Sequence, residues 1–384
     1  MAEDFYRELQ EALARIEAQG TRRALHPGDY RLPVMEMEGR KYLNLSSNDY
    51  LGIANDAGLT ARVLSGVNDC RFGSAGSRLM TGNTGAYRDF ERMLEQAYGR
   101  PALVFGSGYH ANTGILPALA HAGDLILADR LVHASILDGI LACKADYRRF
   151  RHNDYEHLES LLAKDRDRYR RVWIVTESIF SMDGDRCDLP TLVGLKRRYG
   201  ALLYVDEAHS VGTDGPDGLG MCVAQGLLPD VDIAVYPMGK AVASHGAFVL
   251  CRETLRDYLV NVSRPLIFST ALPPVCVEWS HFVFREFEAM SARRSRLRSI
   301  SAQVRAALRA KGFQVLGDSH IIPVVFGENR AALDAADRLR GQGIWATAIR
   351  HPTVAKGQAR IRLSISSAFS DEETESVIEA FGKL

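Results

Sequence analysis

The sequence lacks an excess of either charge: 47 Lys and Arg face 47 Asp and Glu, a formal net charge of zero. A polyanion-binding protein ordinarily carries a basic excess or stripe. Here only short clusters occur, such as Arg293, Arg294, Arg296 and Arg298. There is no long block of like charge either, which argues against wholesale disorder. No apolar run approaches the roughly 18 residues of a membrane-spanning helix. The start, Met1-Ala2-Glu3-Asp4, is acidic and lacks the basic flank and apolar core of a secretory leader, so a cytoplasmic location is expected. Cysteine is sparse. Cys70, Cys143, Cys187, Cys222, Cys251 and Cys276 form no CxxC pair, which excludes a zinc ribbon or redox motif. A disulfide framework is not expected at this length and density. G-x-x-x-x-G-K-[ST], G-x-S-x-G and H-E-x-x-H are also missing, and no metal site is expected.

What remains is ordinary globular material. The 384 residues are 46% hydrophobic, enough for two or three folding units with full cores. Residues 3–18 carry Phe5, Leu9, Leu13 and Ile16 at helical spacing, and Lys41–Leu45 reads as extended. Tyr87–Tyr98 reads as a helix with Phe90, Met93, Leu94 and Ala97 on one face, stopped by Gly99. Short apolar runs then alternate with helical stretches. The runs are Ala102–Phe105, Leu125–Ala128, Val172–Thr176, Leu202–Val205, Ile233–Tyr236 and Ala247–Cys251. Runs apolar throughout are the mark of strands buried on both faces. The helix candidates between them include Asp154–Ala163 and Leu189–Tyr199. This alternation predicts an α/β fold with a central sheet flanked by helices. The tail differs. Helical spacing dominates it from Cys276 to about Lys311, followed by a strand at Ile321–Val325 and a helix at Arg330–Arg340 with Asn329 as its cap. A strand at Ala359–Ser366 and a final helix opened by the capping box Ser370 and Glu373 complete it. The expected division is an amino-terminal segment (1–50), a large α/β domain (51–285) and a small α+β domain (286–384).

Three motifs carry chemistry, each with a plain structural alternative. Gly106-Ser107-Gly108-Tyr109-His110-Ala111 lies between a strand and a helix, where backbone amides hold phosphate well. It is equally a tight turn. With Asp124 or Asp129 it loosely fits a dinucleotide fingerprint, which keeps a nicotinamide-dependent oxidoreductase open as a reading of another class. Asp206-Glu207-Ala208-His209 ends a buried strand, where α/β sheets place their sites, or is a satisfied polar pair. Lys240 follows another strand end. It is either a surface lysine or an amine made nucleophilic by desolvation.

Taken in order, further segments join these motifs. They are Leu43–Gly52, Gly73–Arg78, Ala128–Ser135, Thr176–Asp185, Val205–His209, Phe268–Pro274, Ala348–Val354 and Arg360–Leu363. The chain thereby resembles, over nearly its whole length, the α-oxoamine synthases among the fold-type I pyridoxal-phosphate enzymes. It looks most like those serving biotin synthesis. The resemblance implies a mostly parallel sheet flanked by helices, a smaller α+β C-terminal domain, pyridoxal 5'-phosphate, and a homodimer with shared active sites. It implies decarboxylative condensation of L-alanine with a pimeloyl thioester, carried by coenzyme A or an acyl carrier protein. Glycine C-acetyltransferase, or a relative with another acyl chain, is the alternative, to which Lys356–Arg362 leans.

The resemblance also implies roles. Lys240 is the covalent anchor of the cofactor and the carrier of the α-proton, Asp206 the partner of the pyridine nitrogen, and His133 the residue stacked on the ring and near substrate. His209 and Ser181 flank the phenolic oxygen. Gly108, Tyr109 and the partner chain's Thr270 serve the phosphate, and Arg362 clamps the amino-acid carboxylate. Arg22, Asn48 and Thr353 stand near the substrate. Two departures stand out. Pro237 occupies a position where the family carries Thr or Ser, so phosphate anchoring leans on the 106–108 turn, Ser269 or Thr270. Tyr87 stands where a histidine is common.

Overall fold

The computed structural model describes residues 2–31, 33–67 and 69–384; Met1 of the acidic start lies outside them. The chain divides into two compact units. The larger comprises residues 48–181 and 185–297. The smaller gathers the segment through Ser47, residues 182–184, and 298–384.

The larger unit is built on a seven-stranded sheet: β1 (Ala102–Phe105), β2 (Asp124–Asp129), β3 (Asp146–Phe150), β4 (Arg171–Glu177), β5 (Leu202–Asp206), β6 (Ile233–Pro237) and β7 (Ala247–Leu250). Their order is β1-β7-β6-β5-β4-β2-β3. β7 runs antiparallel to both its neighbours, and the remaining pairings are parallel. Six strands coincide with the apolar runs, because a sheet covered on both faces favours apolar side chains along the strands and confines most buried charges to their ends. β2, for example, is buried at every residue. β3 was not expected. It lies at the sheet edge, its sequence Asp-Tyr-Arg-Arg-Phe is mostly polar, and only Phe150 is buried.

The six co-directional strands end along one edge of the sheet, the usual place for a site in such folds. From those ends spring helix α1 (Gly108–Leu119) after β1 and helix α2 (Ala134–Leu141) after β2. Leu189–Tyr199 is a helix as expected. The Asp188 side chain accepts the Thr191 amide at its start, and Gly200 closes it in the left-handed region at φ 58°. In the Gly85–Tyr98 helix the inward face is Tyr87, Phe90, Leu94 and Tyr98, so Tyr98 takes the place expected of Ala97.

The helical stretch expected from Cys276 is present and consists of Pro274–Glu286, a single tight turn at Glu288–Met290, and Ser291–Ala310. At the break the Phe287 carbonyl accepts both the buried Arg294 guanidinium at 2.6 Å and the Met290 amide at 3.0 Å, a three-residue turn in place of the four-residue ladder. The unit boundary falls inside the last of these helices, after Leu297, rather than at 285.

In the smaller unit the amino-terminal residues are not a segment of their own. Strand Arg40–Asn44 pairs in parallel with Ile344–Trp345, which adds the strands Asp29–Arg31 and Val34–Met37 to C-terminal chain. A second antiparallel sheet joins Gln314–Val315, Ile321–Gly327, Ala359–Ser364 and Thr347–Ile349. The helix Asn329–Gly341 has Glu328, not Asn329, at its cap. The last helix keeps its capping box, with both reciprocal bonds between Ser370 and Glu373 formed. The first helix, Ala2–Ala18, exposes its apolar face at Phe5, Leu9, Leu13 and Ile16. Among the described residues no helix is long and apolar enough to cross a membrane.

Candidate active site

A cleft at the strand ends has a cavity volume of ≈ 230 Å³ and opens to solvent. Its lining includes Asn48, Gly108, Tyr109, His133, Asp206, His209 and Lys240. Seven residues separated by up to 192 positions in sequence thus converge in the larger unit.

The helix α1 opens directly on the cleft. Ser107 caps it, its hydroxyl accepting the His110 amide at 3.0 Å. The amides of Gly108 and Tyr109 precede any carbonyl that the helix could offer them, so they form a positive, donor-rich end. A Cβ on Gly108 would lie 2.7 Å from the Pro237 ring, so glycine is required for the close approach of turn and strand. The Tyr109 hydroxyl donates to Asp138.

Asp206 ends β5 and is buried. Its two oxygens accept from Asn112 Nδ2 and the Ala208 amide, both at 2.9 Å. Asn112 also donates to Ser135 Oγ at 2.9 Å and accepts from the Tyr204 hydroxyl at 2.6 Å. Ser135 Oγ in turn lies 2.7 Å from His133 Nδ1, which also accepts the Ser135 amide at 3.2 Å. This chain fixes Nδ1 as an acceptor and leaves the ring proton on Nε2. Burial and the nearby Lys240 charge hold His133 below the usual imidazole range against the pull of Asp206, which favours the neutral ring.

Glu177, opposite Asp206 in the β4–β5 register, is buried and accepts the His133 amide. Burial, then the neighbouring Asp206 charge, push its carboxyl well above the ordinary carboxylate range. His209 is buried, and its Nδ1 lies 2.7 Å from the Tyr50 hydroxyl, which donates to Asn48 Oδ1 at 2.9 Å. Lys240 is half-buried on the connection between β6 and β7. That loop is closed by the Met238 amide on the Gly246 carbonyl and the Ala243 amide on the Lys240 carbonyl.

Not every candidate lines the cleft. Ser181 and Thr270 belong to the larger unit but are absent from its wall. Thr270 is exposed and bridged to Ser77, which joins the separate motifs Gly73–Arg78 and Phe268–Pro274. Tyr87 serves the same junction. Its hydroxyl accepts the Leu272 amide at 2.7 Å while Arg78 stacks over its ring at 4.2 Å.

Arg22, Thr353 and Arg362 lie in the smaller unit. Arg362 is buried and donates to Ser364 Oγ at 2.6 Å. Arg22 is exposed and paired with Glu17 at 2.9 Å. Thr353 is contacted by Arg23, at 3.2 Å, rather than by Arg22. The carboxylates that a dinucleotide reading would need are engaged. Asp124 is paired with Arg170 and Arg171, and Asp129 accepts from Leu131, His152 and Asn153.

Nothing in the sequence marks Asn112, Ser135, Glu177 or Tyr50 individually, although three of them lie within Leu43–Gly52, Ala128–Ser135 and Thr176–Asp185. Their importance is a matter of who faces whom across the fold. The one available signal was polarity at otherwise apolar positions, as at Asn112 inside a helix whose neighbours Ala111 and Ile115 are core.

Comparison with known proteins gives the same direction. Residues 40–381 match the family described as aminotransferase class I and II. The chain is 48% identical to 8-amino-7-oxononanoate synthase of Chlorobaculum parvum over 378 residues, covering 96% of each chain. It superposes on Sphingomonas wittichii serine palmitoyltransferase with a TM-score of 0.90 at 29% identity, covering 99% of this chain and 96% of that one. On SPT solved with a PLP internal aldimine the TM-score is 0.85 at 30% identity, covering 92% and 90%.

Proposed function

The chain belongs to the aminotransferase class I and II family, and from that premise we propose that it condenses L-alanine with a pimeloyl thioester, releasing carbon dioxide and the thiol carrier to form 8-amino-7-oxononanoate. The observation that carries this reading is Asp206. It is a buried carboxylate whose hydrogen bonds among the described residues come from neutral donors, at the end of a cleft that also holds Lys240 and a helix N-terminus. Such a carboxylate suits a cationic ring nitrogen, and the helix start suits a phosphate, so the residues present fit pyridoxal 5'-phosphate. When bound, the cofactor supplies an electron sink for the carbon that loses its proton or its carboxylate.

The residues do the rest. Lys240 would hold the cofactor through its amine and would take and return the α-proton of the amino acid. Asp206 keeps the ring nitrogen protonated, and Asn112 keeps Asp206 aimed. His133, neutral and fixed through Nδ1, covers the ring face. His209 and Ser181 take the phenolic oxygen. The amides of Gly108 and Tyr109 take the phosphate, with Thr270 of a second copy in a homodimer supplying the hydroxyl that Pro237 lacks. Arg362 receives the amino-acid carboxylate as a planar fork. Arg22, Asn48 and Thr353 contact substrate. The proposed setting is the cytoplasm, with coenzyme A or an acyl carrier protein as the thiol.

A panel of thioesters with alanine, glycine and serine, read by free thiol, tests this. Fastest turnover is expected for alanine with the pimeloyl thioester. Preference for glycine with an acetyl thioester would overturn it in favour of glycine C-acetyltransferase. A colourless protein that binds a nicotinamide cofactor would overturn the whole class.

A further inference from the structure

Behind the cleft wall lies a cluster that the proposed chemistry does not use. His152 follows β3 and is bonded through both ring nitrogens, Nδ1 to Asp129 at 2.9 Å and Nε2 to Asp185 at 2.8 Å. Asp129 is the last residue of β2. It also accepts the Leu131 amide at 2.8 Å and the Asn153 amide at 2.9 Å, so it organises the turn that delivers His133. Asp185 belongs to the hairpin after β4, closed by the Ile179–Arg186 bridge and the Phe180 amide on the Asp185 carbonyl. Asn153 adds bonds to Asp185 Oδ2 at 2.9 Å and to the Arg186 carbonyl at 3.1 Å. Phe180 of the same hairpin packs edge-on against the imidazole at 4.4 Å.

Two loops that each begin at a strand end of the cleft are therefore tied to one ring. We propose that His152 is a positioning residue: as an imidazolium between two carboxylates, it locks the turn carrying His133 to the hairpin that follows Glu177. The cleft wall is thus held in register from outside. This rests on the pyridoxal-phosphate reading only for what the wall does, not for the clamp itself.

Charge makes the clamp obligatory. A neutral imidazole donates through one nitrogen only, so with a neutral ring one of the two contacts would set a ring lone pair against a carboxylate oxygen at under 3 Å, a repulsion that the imidazolium removes. Burial opposes the charge, but the bonds to Asp129 and Asp185 outweigh it and push the ring up to about 10. Of the other titratable groups around it, Tyr155, Cys187 and Glu177 are held toward their neutral forms by burial, and each also feels the Asp129 charge. Arg186 is paired with Asp214 at 2.5 Å, and Arg151 with Asp154 at 2.6 Å. None of these replaces the second donor.

The test compares the full cofactor-loaded chain with His152→Gln and Asp185→Asn. It reads thiol release against pH, the absorbance of bound cofactor, and the thermal midpoint against pH. For His152→Gln, kcat is expected to fall about tenfold with KM for the amino acid changed less than about twofold, and the cofactor band to shift. For Asp185→Asn, the alkaline limb of kcat is expected to move down by about one pH unit. The midpoint gap between wild type and His152→Gln should be full below pH ~6.5 and close as pH rises through about 10, because the folded ring holds its proton more tightly than the unfolded one.

A His152→Gln protein with wild-type kcat, spectrum and pH profile but a lower midpoint would overturn the proposal, as would a midpoint gap that ignores pH. If that variant does not fold, Asp185→Asn decides by its alkaline limb, and an unmoved limb overturns the proposal. A wrong functional reading looks different. Wild type would then release thiol from no thioester, and the pH dependence of the midpoint gap would still decide for or against the clamp.

Discussion

The two units hold their candidate residues in opposite ways. In the larger unit Asp206, His209 and Glu177 are buried and stand on or next to strand ends. Their orientations are set by partners that are themselves buried or part-buried, Asn112 and Tyr204 on one side and Tyr50 on the other. In the smaller unit Arg22 and Thr353 are exposed. They sit on two loop segments stitched together by long side chains, with the Arg350 guanidinium bonding the Gly20 carbonyl and Arg23 the Thr353 hydroxyl. Arg362 alone is buried there, inside a strand. Burial on a strand fixes an atom to within a fraction of an ångström, which is what moving a proton requires. Exposed loops tolerate exchange, which is what a choice among substrates requires.

That contrast can be broken by substitution. Lys240→Ala should reduce thiol release by at least about 1,000-fold while the fold, read by circular dichroism, persists. Substantial turnover in that variant would remove the contrast at its root. Asp206→Asn should follow, slowing α-proton exchange by about 100-fold while the cofactor is still retained. Exchange at the wild-type rate would show that the burial of this carboxylate serves structure only. Arg362→Lys keeps the charge but not the fork, and should raise KM for the amino acid about tenfold with a smaller change in kcat. A loss confined to kcat would move Arg362 to the side of the buried machinery. Arg22→Ala and Thr353→Ala should be mildest, within about threefold in KM, because exposed pairs contribute little. Effects as large as those at Asp206 would erase the distinction between the two units.

Much of the larger unit is written plainly in the chain. Apolar runs such as Leu-Ile-Leu-Ala in β2 have few alternatives to a strand buried on both faces, and Gly200 marks its helix end through a backbone angle that glycine adopts freely. What escapes such reading depends on neighbours distant in sequence. β3 is a strand because β2 offers it an edge, not because its own residues alternate. The break at Phe287 needs Arg294 to reach back for a carbonyl. Ser46 and Thr347 share a hydrogen bond at 2.8 Å because two parallel strands from opposite ends of the chain meet beside them. The site divides along the same line. Lys240, Asp206 and His133 were legible through the resemblance, whose segments are each contiguous in sequence. Glu177 and Asn112 act only through residues 44 and 94 positions away, a relation that no spacing rule expresses.

The lysine hairpin has a consequence for the order of assembly. β6 and β7 are adjacent in both sequence and sheet, so the loop carrying Lys240 closes by contacts of short range. The groups that would act with it arrive from far away. Asn112 reaches Asp206 across 94 residues and Tyr50 reaches His209 across 159. Closing a long loop costs more entropy than closing a short one, so local pairings tend to form first. The chain is expected to finish its lysine hairpin early and to join it to Asp206 and His209 late. Pulse-labelled hydrogen exchange during refolding would show the amides of Met238 and Ser244 protected before those of His133 and Leu272, whose partners lie 44 and 185 residues away. On that schedule a partly folded chain already presents its amine but lacks the oriented carboxylate, so cofactor capture would mark the final stage of folding.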